Sequence, residues 1–384
     1  MSDEVAARPL RIFLSAGEPS GDLHAANLAC ALMRARPGLE CAALGGARLA
    51  AAGVRLIHNM DAGFSVMGIG DALRVIPAVR HVRDTALDFL DRWRPDAAVL
   101  VDYPGFNINL AKFLKRLGIK VFYYICPQVW AWAPWRIRKI GRRIDKALVV
   151  FEFEVELYRR KGIDVEWVGH PLGDVFAGRP LDRYFLERGP LSGAAFLVAL
   201  VPGSRTTEIE RGFPVKAAAA RLIKQARPDV TFAASVVSEE HARLVERLAR
   251  REGLDCEVFA DRTYEVMKMA HFALATSGTA TLELAHFGTP MVVLYRTGPG
   301  GLVLKRFLLT TPHIALVNIL AGRRVVPEFV YWRDAAERIA ETALSIMTDP
   351  ACFQRSLEDI ASVAAAVSRP GASTTAARAI LETL

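Results

Sequence analysis

The chain has little cysteine and no long run of apolar residues. Its five cysteines are odd in number and scattered, and none forms a CxxC pair. The sequence therefore predicts neither a zinc site nor a disulfide framework, as is typical of a reducing compartment. No apolar run approaches the roughly 20 residues of a membrane-spanning helix, and we expect neither a signal peptide nor an anchor at the acidic N-terminus. Any membrane contact is therefore expected to be peripheral.

Several common catalytic and nucleotide motifs are also absent. The chain has no GxGxxG, no Walker A lysine motif and no GxSxG. Its eight histidines show no metal-ligand spacing, and we interpret His24 and His170 as packing or turn residues. The sequence thus predicts no metal and no cofactor.

What the chain does have is a large apolar content and a basic balance. Hydrophobic residues make up 52% and charged residues 23% of its 384 residues, which is typical of a well-folded protein with two domains. The formal net charge of +8 favours anionic partners. Nucleic acid, an anionic membrane surface and phosphorylated substrates all fit that preference.

Short apolar runs alternate with amphipathic stretches along the chain. This alternation predicts parallel sheets covered on both faces by helices. It weakens over the Gly- and Pro-rich residues 171–195 and then restarts. We therefore expect two Rossmann-like doubly wound α/β domains, at 1–180 and 181–340, followed by C-terminal helices at 341–384 that can cross back to the first. The predicted strands are residues 10–16, 96–103, 120–125, 146–151, 196–201, 229–237, 255–260, 271–276 and 290–295.

In the first half of the chain, two loops follow predicted strands. SAGEPSGD (15–22) contains two glycines that allow close backbone approach, and Ser20 or Asp22 could cap the helix that follows. VDYPGFN (101–107) places Asp102 where a strand ends and Pro-Gly forces a turn. A carboxylate there could accept a proton from a hydroxyl nucleophile. Ordinary turn and cap roles explain both loops equally well.

Two loops in the second half have features of a phosphate site. LVPGSRTTEIE (200–210) presents the backbone N–H groups of Gly203 and Ser204. The Arg205 guanidinium beside them makes a combination that suits a diphosphate. SGTATLE (277–283) brings small residues to a helix N-terminus. The carboxylate of its Glu283 could accept hydrogen bonds from both hydroxyls of a ribose. Each loop alone is as well explained by a structural turn, but together they predict a nucleotide-diphosphate site.

The ordered series of these segments resembles the lipid-A-disaccharide synthase family, whose members are membrane-associated glycosyltransferases. The resemblance runs along nearly the whole chain. Its markers are SAGEPSGD, SVMGIGDAL (65–73), VDYPGFN, CPQVWAW (126–132), VGHPL (168–172), LVPGSRTTEIE, SGTATLE, PMVVLYR (290–296) and VNILAGRRVVPEF (317–329).

The resemblance implies a glycosyltransferase-B fold, in which two Rossmann-like domains flank a cleft. It also implies a hexosyltransferase that inverts the anomeric centre and needs no metal. The donor would be UDP-2,3-diacylglucosamine and the acceptor 2,3-diacylglucosamine 1-phosphate, known as lipid X. The products would be the β-1,6-linked lipid A disaccharide 1-phosphate and UDP. The family includes dimers, so the resemblance also allows a homodimer.

Family roles carry over to the matching positions of this chain. The resemblance implies that Asp102 is the general base that deprotonates the acceptor 6-hydroxyl. It implies that Arg205 lies near the UDP phosphates, that Glu283 holds the uridine ribose and that Asn318 lines the donor site. The predicted donor-binding residues are Gly17, Glu18, Ser20, Gly203, Ser204, Arg205, Ser277, Gly278, Thr279, Ala280, Glu283 and Asn318.

The chain departs from the family pattern at five positions. His24 and Ala25 stand in place of the usual pair in the first loop. Val317 and Phe153 replace prolines, and Cys126 replaces a serine. None of these changes removes a proposed reactive group, so they bear on acyl-chain and acceptor details.

A tryptophan-rich and basic stretch covers residues 123–146. An enzyme with acylated substrates must act at a bilayer surface. There aromatic side chains favour the headgroup level, and each Lys or Arg contributes about 1 kcal/mol to binding of an anionic surface. We predict that this stretch docks on the anionic cytoplasmic face of the inner membrane, although core positions explain Trp130 and Trp132 equally well. Segments 62–77 and 300–310 are further candidates for lipid contact, and a buried helix and loop is the alternative for 62–77. The predicted lipid contacts are Met67, Ile69, Trp130, Trp132, Trp135, Arg136, Arg138, Lys139, Arg142 and Arg143.

Three other functions compete with this interpretation. A related UDP-sugar transferase or epimerase would keep the nucleotide loops but would not need the lipid-facing segments. A nucleic-acid-binding protein fits the charge, but the chain has no recognised nucleic-acid motif and its other basic residues are dispersed. A catalytically silent protein of the same fold would not require Asp102, Arg205 and Glu283 together. We therefore expect an enzyme without a nucleic-acid partner.

Overall fold

The chain forms two α/β units, each built on one parallel sheet. The first unit comprises the residues up to Val175 together with Arg369–Leu384, and the second comprises Phe176–Ser368. Both sheets have the strand order of a doubly wound fold, which confirms the predicted fold class. This computed structural model describes residues 8–60, 69–132, 134–298 and 312–384, with the backbone alone at 69–76, 131 and 132.

The first unit holds a seven-stranded sheet. Its strands are β1 (Arg11–Ala16), β2 (Glu40–Gly45), β3 (Arg55–Asn59), β4 (Ala97–Val101), β5 (Lys120–Tyr124), β6 (Lys146–Val149) and β7 (Val165–Trp167), and its helices are α1 (Pro19–Ala35), α2 (Ala47–Ala51), α3 (Ile69–Trp93), α4 (Pro104–Arg116), α5 (Val129–Trp132), α6 (Arg136–Gly141) and α7 (Glu152–Arg159). The strands pair in parallel in the order β3-β2-β1-β4-β5-β6-β7. Every residue of the AAVLV strand β4 is buried, because helices cover both faces of the sheet.

The second unit repeats this plan with six strands. The chain passes from the first unit to the second within α8 (Leu172–Gly178). The strands of the second unit are β8 (Phe196–Val201), β9 (Val230–Val236), β10 (Glu257–Ala260), β11 (Phe272–Thr276), β12 (Met291–Arg296) and β13 (Glu328–Tyr331). Its helices are α9 (Arg183–Arg188), α10 (Thr206–Ala226), α11 (Glu239–Arg251), α12 (Thr263–Met269), α13 (Ala280–His286), α14 (Leu316–Ala321), α15 (Ala336–Thr348) and α16 (Pro350–Val367). The parallel order is β10-β9-β8-β11-β12-β13. One apolar core packs alternate residues of β8, β9, β11 and β12, which share one face of this sheet, against α10, α11 and α15.

Each sheet has one place where the direction of strand addition reverses. In the first sheet it lies between β1 and β4, and in the second between β8 and β11. The paired strands end level with each other, with Ala16 opposite Val101 and Ala275 opposite Val201. The loops after such strands diverge and leave a crevice, which is where open α/β sheets bind ligands. The four loops at these two places are the four that the sequence singles out.

The C-terminal helix, α17 (Ala372–Thr383), belongs to the first unit. Its Ala376 and Ile380 are buried in the same apolar cluster as Leu28 and Leu32 of α1. The carboxylate of Asp174 accepts a hydrogen bond from the Ser373 backbone N–H at 2.7 Å and another from the Gly371 N–H, which fixes the start of α17. The preceding helices α15 and α16 stay with the second unit.

Truncation of Ile380 tests this return of the chain. We expect Ile380→Ala to lower the free energy of unfolding of the first unit by about 2–5 kcal/mol, because a fully buried isoleucine leaves a cavity. Leu381→Ala, at a half-buried position, is the matched control and should cost less. Urea unfolding followed by tryptophan fluorescence reports mainly on the first unit. An unchanged midpoint in Ile380→Ala would contradict the docking of α17.

Candidate active site

The first sheet brings Asp102 to its reversal point. Asp102 and Tyr103 follow β4 with φ angles of +46° and +49°, a left-handed conformation that is costly for side chains other than glycine. Gly17, in the loop after β1, lies directly against the Tyr103 ring, since a Cβ at position 17 would come within 2.1 Å of Tyr103 Cδ1. The two loops are therefore in contact, and Gly17 is required for that contact.

The backbone of Asp102 is held by a buried set of hydrogen bonds. The Asp102 carbonyl accepts from Tyr123 Oη and from Asn107 Nδ2, both at 2.8 Å. Asn107 is itself fixed because its Oδ1 accepts from Ser15 Oγ at 2.7 Å. Burial, and then the nearby Asp102, raise the pKa of Tyr123 well above its usual range, so its hydroxyl stays a donor. The half-buried Asp102 side chain is thus carried on a strained but firmly held peptide.

The other polar residues of the loop after β1 are in part buried and in part at the surface. Asp22 is buried and accepts from the backbone N–H groups of Gly46 and Arg48 at 2.6 and 2.9 Å, so it caps α2 and not its own helix. Glu18, the N-cap of α1, is half-buried and Ser20 is exposed. Glu18 and Ser20 are therefore the polar side chains of this loop that reach the surface.

The two histidines near this loop are interior residues. Burial lowers the pKa of His24 to about 4 and that of His170 to about 3. Both are therefore neutral at physiological pH. His170 stacks on Phe151 with ring centroids 5.3 Å apart, which agrees with a packing role.

In the second unit, the loop after β8 is tied back to its own helix. Gly203 has a φ of +110° and lies against Glu208, whose carboxylate accepts from the Ser204 backbone N–H at 3.3 Å. The other oxygen of Glu208 is 3.3 Å from the Arg205 guanidinium. A guanidinium that already faces an anion is placed to meet a diphosphate as well.

The loop after β11 lies next to the loop after β8. A Cβ at Gly203 would be 3.6 Å from Thr276 Cγ2, at the end of β11. Ser277 Oγ donates to the Ile314 carbonyl at 2.9 Å, so its hydroxyl is engaged in holding the segment before α14. Gly278, Thr279 and Ala280 then lead into α13, and Thr279 is exposed.

Glu283, on α13, is a carboxylate with an unusual protonation state. Burial raises the pKa of Glu283 to about 7, opposed by the hydroxyl of Tyr264, which donates to Oε1 at 3.2 Å, and by the charge of Arg179. The guanidinium of Arg179 lies 5.0 Å from the centre of the Tyr264 ring. The oxygen that does not bond Tyr264 remains able to accept a ribose hydroxyl.

Asn318, which the resemblance assigns to the donor site, has its polar atoms engaged within the protein. Its Oδ1 accepts from the N–H groups of Val325 and Val326, and its Nδ2 donates to the Val326 carbonyl and to Glu328 Oε2 at 2.9 and 3.2 Å. An amide side chain has two donor and two acceptor positions, and all four are used. Asn318 is fully buried, and its hydrogen bonds hold residues 325–328 next to α14.

The tryptophan-rich stretch divides into a buried and an exposed part. Trp130 is 9% exposed and its Nε1 donates to the buried carboxylate of Glu154 at 2.8 Å, so the lipid contact predicted for it does not fit its interior position. Trp135 is 63% exposed at the start of α6. Ile137 and Ile140 anchor α6 to the core. The predicted residues Arg136, Arg138, Lys139 and Arg142 are exposed and Arg143 is half-buried.

Several predicted contacts cannot be placed. Met67 and residues 299–311 lie outside the described residues, as do the side chains of Ile69 and Trp132. Within the described ranges, no group of His, Cys, Asp and Glu side chains is arranged to hold a metal ion. No helix of the same ranges is long and apolar enough to cross a membrane.

Comparison with known proteins places this chain in a family. Residues 12–372 match the lipid-A-disaccharide synthetase family. The chain belongs to the lipid-A-disaccharide synthase family. It is 38% identical to a lipid-A-disaccharide synthase of Geobacter sulfurreducens, over 97% of both chains. It is 37% identical to that of Myxococcus xanthus, over 98% of both.

Solved structures of similar fold extend this finding. A putative UDP-N-acetylglucosamine 2-epimerase from Listeria monocytogenes has a TM-score of 0.67 at 13% identity and covers 98% of this chain and 95% of its own. A UDP-glucosyltransferase from Polygonum tinctorium has a TM-score of 0.65 at 12% identity, covering 98% and 99%. At such low identity these likenesses show the fold alone, which is the glycosyltransferase-B fold of this lipid-A-disaccharide synthase family member.

The supporting role of Asn318 can be tested. We expect Asn318→Ala to lower the free energy of unfolding of the second unit by about 1–3 kcal/mol or more, because buried partners lose their hydrogen bonds. Thermal unfolding measures the loss. The control is Asn109→Ala, since Asn109 makes one exposed hydrogen bond in the first unit. An Asn318→Ala protein of unchanged stability that fails to bind UDP would instead mean that Asn318 contacts the ligand.

Proposed function

We propose that this chain transfers the diacylglucosamine of UDP-2,3-diacylglucosamine to lipid X and releases UDP. The full-length relationship to lipid-A-disaccharide synthases carries the proposal. The proposal is supported by the position of the segments to which we assign roles, which lie at the reversal points of the two sheets. These are Asp102 on one sheet and the loops with Arg205 and Glu283 on the other.

The chemistry follows from the character of these groups. The acceptor 6-hydroxyl attacks the anomeric carbon of the donor while its proton passes to the Asp102 carboxylate. The bond from the anomeric carbon to the diphosphate breaks, and UDP leaves with the bonding electrons. Attack from the face opposite the leaving group inverts the anomeric centre. The clamped peptide of Asp102 limits how far its carboxylate can drift from the acceptor oxygen.

Arg205 and its neighbours act on the leaving group. The charge that develops on the departing UDP is stabilised by the Arg205 guanidinium and by the backbone N–H groups of Gly203 and Ser204. Glu283 accepts a ribose hydroxyl and so fixes the nucleotide. The ionised carboxylate is the stronger acceptor, and it predominates above pH 7.

A UDP-sugar epimerase is the second candidate. Solved epimerases have similar folds, but at 13% identity they do not favour that reaction for this chain.

The role of Asp102 is tested by a turnover assay. We expect Asp102→Asn to lower disaccharide formation by roughly 10²–10⁴-fold, because an amide cannot accept the proton. Protein in detergent micelles is given UDP-2,3-diacylglucosamine and lipid X, and UDP release and disaccharide mass are followed. Asp91→Asn, at an exposed position that pairs with Arg94, is the control and should keep wild-type turnover.

The outcomes separate the reaction from the residue. Wild-type protein that binds UDP but forms no disaccharide would contradict the acceptor assignment. Full activity in Asp102→Asn would retain the reaction and remove Asp102 as its base.

We also propose that α6 docks on an anionic membrane surface. Support comes from the exposed Trp135 beside the exposed basic residues Arg138, Lys139 and Arg142. The buried Ile137 and Ile140 hold the helix so that these side chains share its outer face. An interfacial tryptophan next to several cations suits anionic headgroups.

Vesicle binding tests this face. We expect the triple variant Arg138→Ala, Lys139→Ala, Arg142→Ala to bind vesicles with anionic lipid about 100-fold more weakly, since each cation contributes about 1 kcal/mol. Co-sedimentation measures the binding. The control is Arg243→Ala, Arg247→Ala, in which exposed arginines are removed from α11. An equal loss per removed charge in both variants would point to net charge alone and not to α6.

A further inference from the structure

Lys216 is a buried cation that the reaction described above does not use. It lies in α10 and is only 1% exposed. Its Nζ donates to Thr276 Oγ1 at 2.8 Å. A lysine so deeply buried is rare unless its charge has a partner.

The position of Lys216 relates it to both nucleotide loops. It is carried by the helix that starts directly after Arg205, and its bond reaches Thr276, the residue immediately before Ser277. Thr276 also lies beside Gly203, since a Cβ at position 203 would be 3.6 Å from Thr276 Cγ2. Gly212, one turn earlier in α10, leaves room for the ammonium group, because a Cβ there would be 3.4 Å from Nζ. Lys216 therefore joins the base of one loop to the base of the other.

The described residues give the ammonium group of Lys216 one hydrogen-bond acceptor. It has three N–H donors, and within the described ranges Thr276 Oγ1 is its hydrogen-bond acceptor. Burial lowers the pKa of Lys216 to about 7, and the Glu208 carboxylate partly opposes that shift. Lys216 is therefore close to half-protonated at neutral pH.

The charged groups around Lys216 are few. Glu208, on its own helix, already faces Arg205. From the neighbouring strands, β11 contributes the uncharged Thr276, and Arg296 of β12 donates to the Arg211 carbonyl. The Glu208 carboxylate is the charged group that raises the pKa of Lys216 against the effect of burial. An added anion would therefore find a cation that is only partly compensated.

We propose that Lys216 is a positioning residue of the nucleotide site, which ties the two loops together through Thr276 and takes up a proton when a nucleoside diphosphate binds there. The inference rests on the proposed function, because it requires these loops to hold the diphosphate of UDP. A diphosphate brings two or three negative charges to the loops above Lys216. An opposite charge nearby favours the protonated form of the amine.

Binding and protonation then reinforce each other. At pH 8 free Lys216 is mostly neutral, and bound diphosphate restores its charge, so a proton is taken from solution. By the same linkage, UDP binds more weakly as the pH rises from 7 to 9, by as much as tenfold per pH unit. UDP binding weakens with rising pH because the pKa of the free lysine is lowered. The charged form of Lys216, which attracts the anion, is lost as the pH rises through about 7.

Calorimetry measures the proton directly. UDP is titrated into the full-length protein at pH 8 in two buffers of different ionisation enthalpy, which gives the number of protons taken up per UDP bound. Wild type should take up close to one proton, and uridine, which lacks the diphosphate, should cause no uptake. Lys216→Met, a change of similar shape, should take up none and bind UDP about tenfold or more weakly.

Two further variants serve as controls. Lys224→Met removes the other lysine of α10, whose Nζ donates to the Val230 carbonyl, and should behave as wild type. Glu283→Gln should bind UDP more weakly but keep the proton uptake, since Glu283 is mostly ionised at pH 8. Uptake that persists in Lys216→Met would assign the proton to another group.

The failures of the two proposals are distinguishable. UDP binding without proton uptake in wild type overturns the role of Lys216 and leaves the donor site standing. No binding of UDP by wild type overturns the donor site and this inference together. If Lys216→Met does not fold, Glu283→Gln decides the matter: with the other group of pKa about 7 removed, the uptake must persist and be smaller at pH 6.5 than at pH 8.

Discussion

The arrangement of both candidate loops depends on the parallel pairing of strands that are distant in the sequence. β1 pairs with β4 across some eighty residues of chain, and β8 pairs with β11 across a similar length. Each pairing sets two loops side by side at the carboxyl ends of the strands. Because a slip of one residue would exchange the two faces of a strand, the register of these pairs also decides which side chains reach the loops. The contact of Gly17 with Tyr103, and that of Gly203 with Thr276, exist only in this register.

Buried polar groups hold the loops in place. Asn107, Asn318 and Lys216 each lie in the interior and each bonds to a segment next to a loop. Removing such groups from water is unfavourable unless they form hydrogen bonds. They therefore fix the conformation of the loops more than they add to the net stability of the fold. The left-handed peptides at Asp102 and Tyr103 show the same principle, since strain persists only where the surroundings determine it.

The sequence predicts the frame of this molecule better than its site. All nine predicted strands are present, because fully buried parallel strands are continuous apolar runs. Of the unpredicted strands, β3, β7 and β13 are short and lie at sheet edges, whereas β2 is an interior strand whose buried residues follow Glu40. The four loops were recognisable because turn residues follow the apolar runs directly.

Side-chain roles were harder to predict than loops, because they depend on residues far apart in the sequence. Nothing local distinguishes Lys216 from a surface lysine, and its burial results from the packing of α10 on the sheet. Asn318 looks like a ligand contact until Val325, Val326 and Glu328 are seen to use all of its polar positions. Trp130 looks like a membrane anchor until Glu154 is found inside the core beside it.

Two of the departures from the family pattern, Cys126 and Phe153, are accommodated by contacts with neighbouring groups. Cys126 replaces a serine, yet its buried thiol donates to the Tyr123 carbonyl as a hydroxyl would. Burial raises the pKa of Cys126 well above its usual range, so the donor hydrogen stays in place. Phe153 replaces a proline and packs edge-on against Trp130, with ring centroids 4.9 Å apart. Because Tyr123 in turn donates to the Asp102 carbonyl, the exchange at position 126 preserves the hydrogen-bonded chain that supports the proposed base.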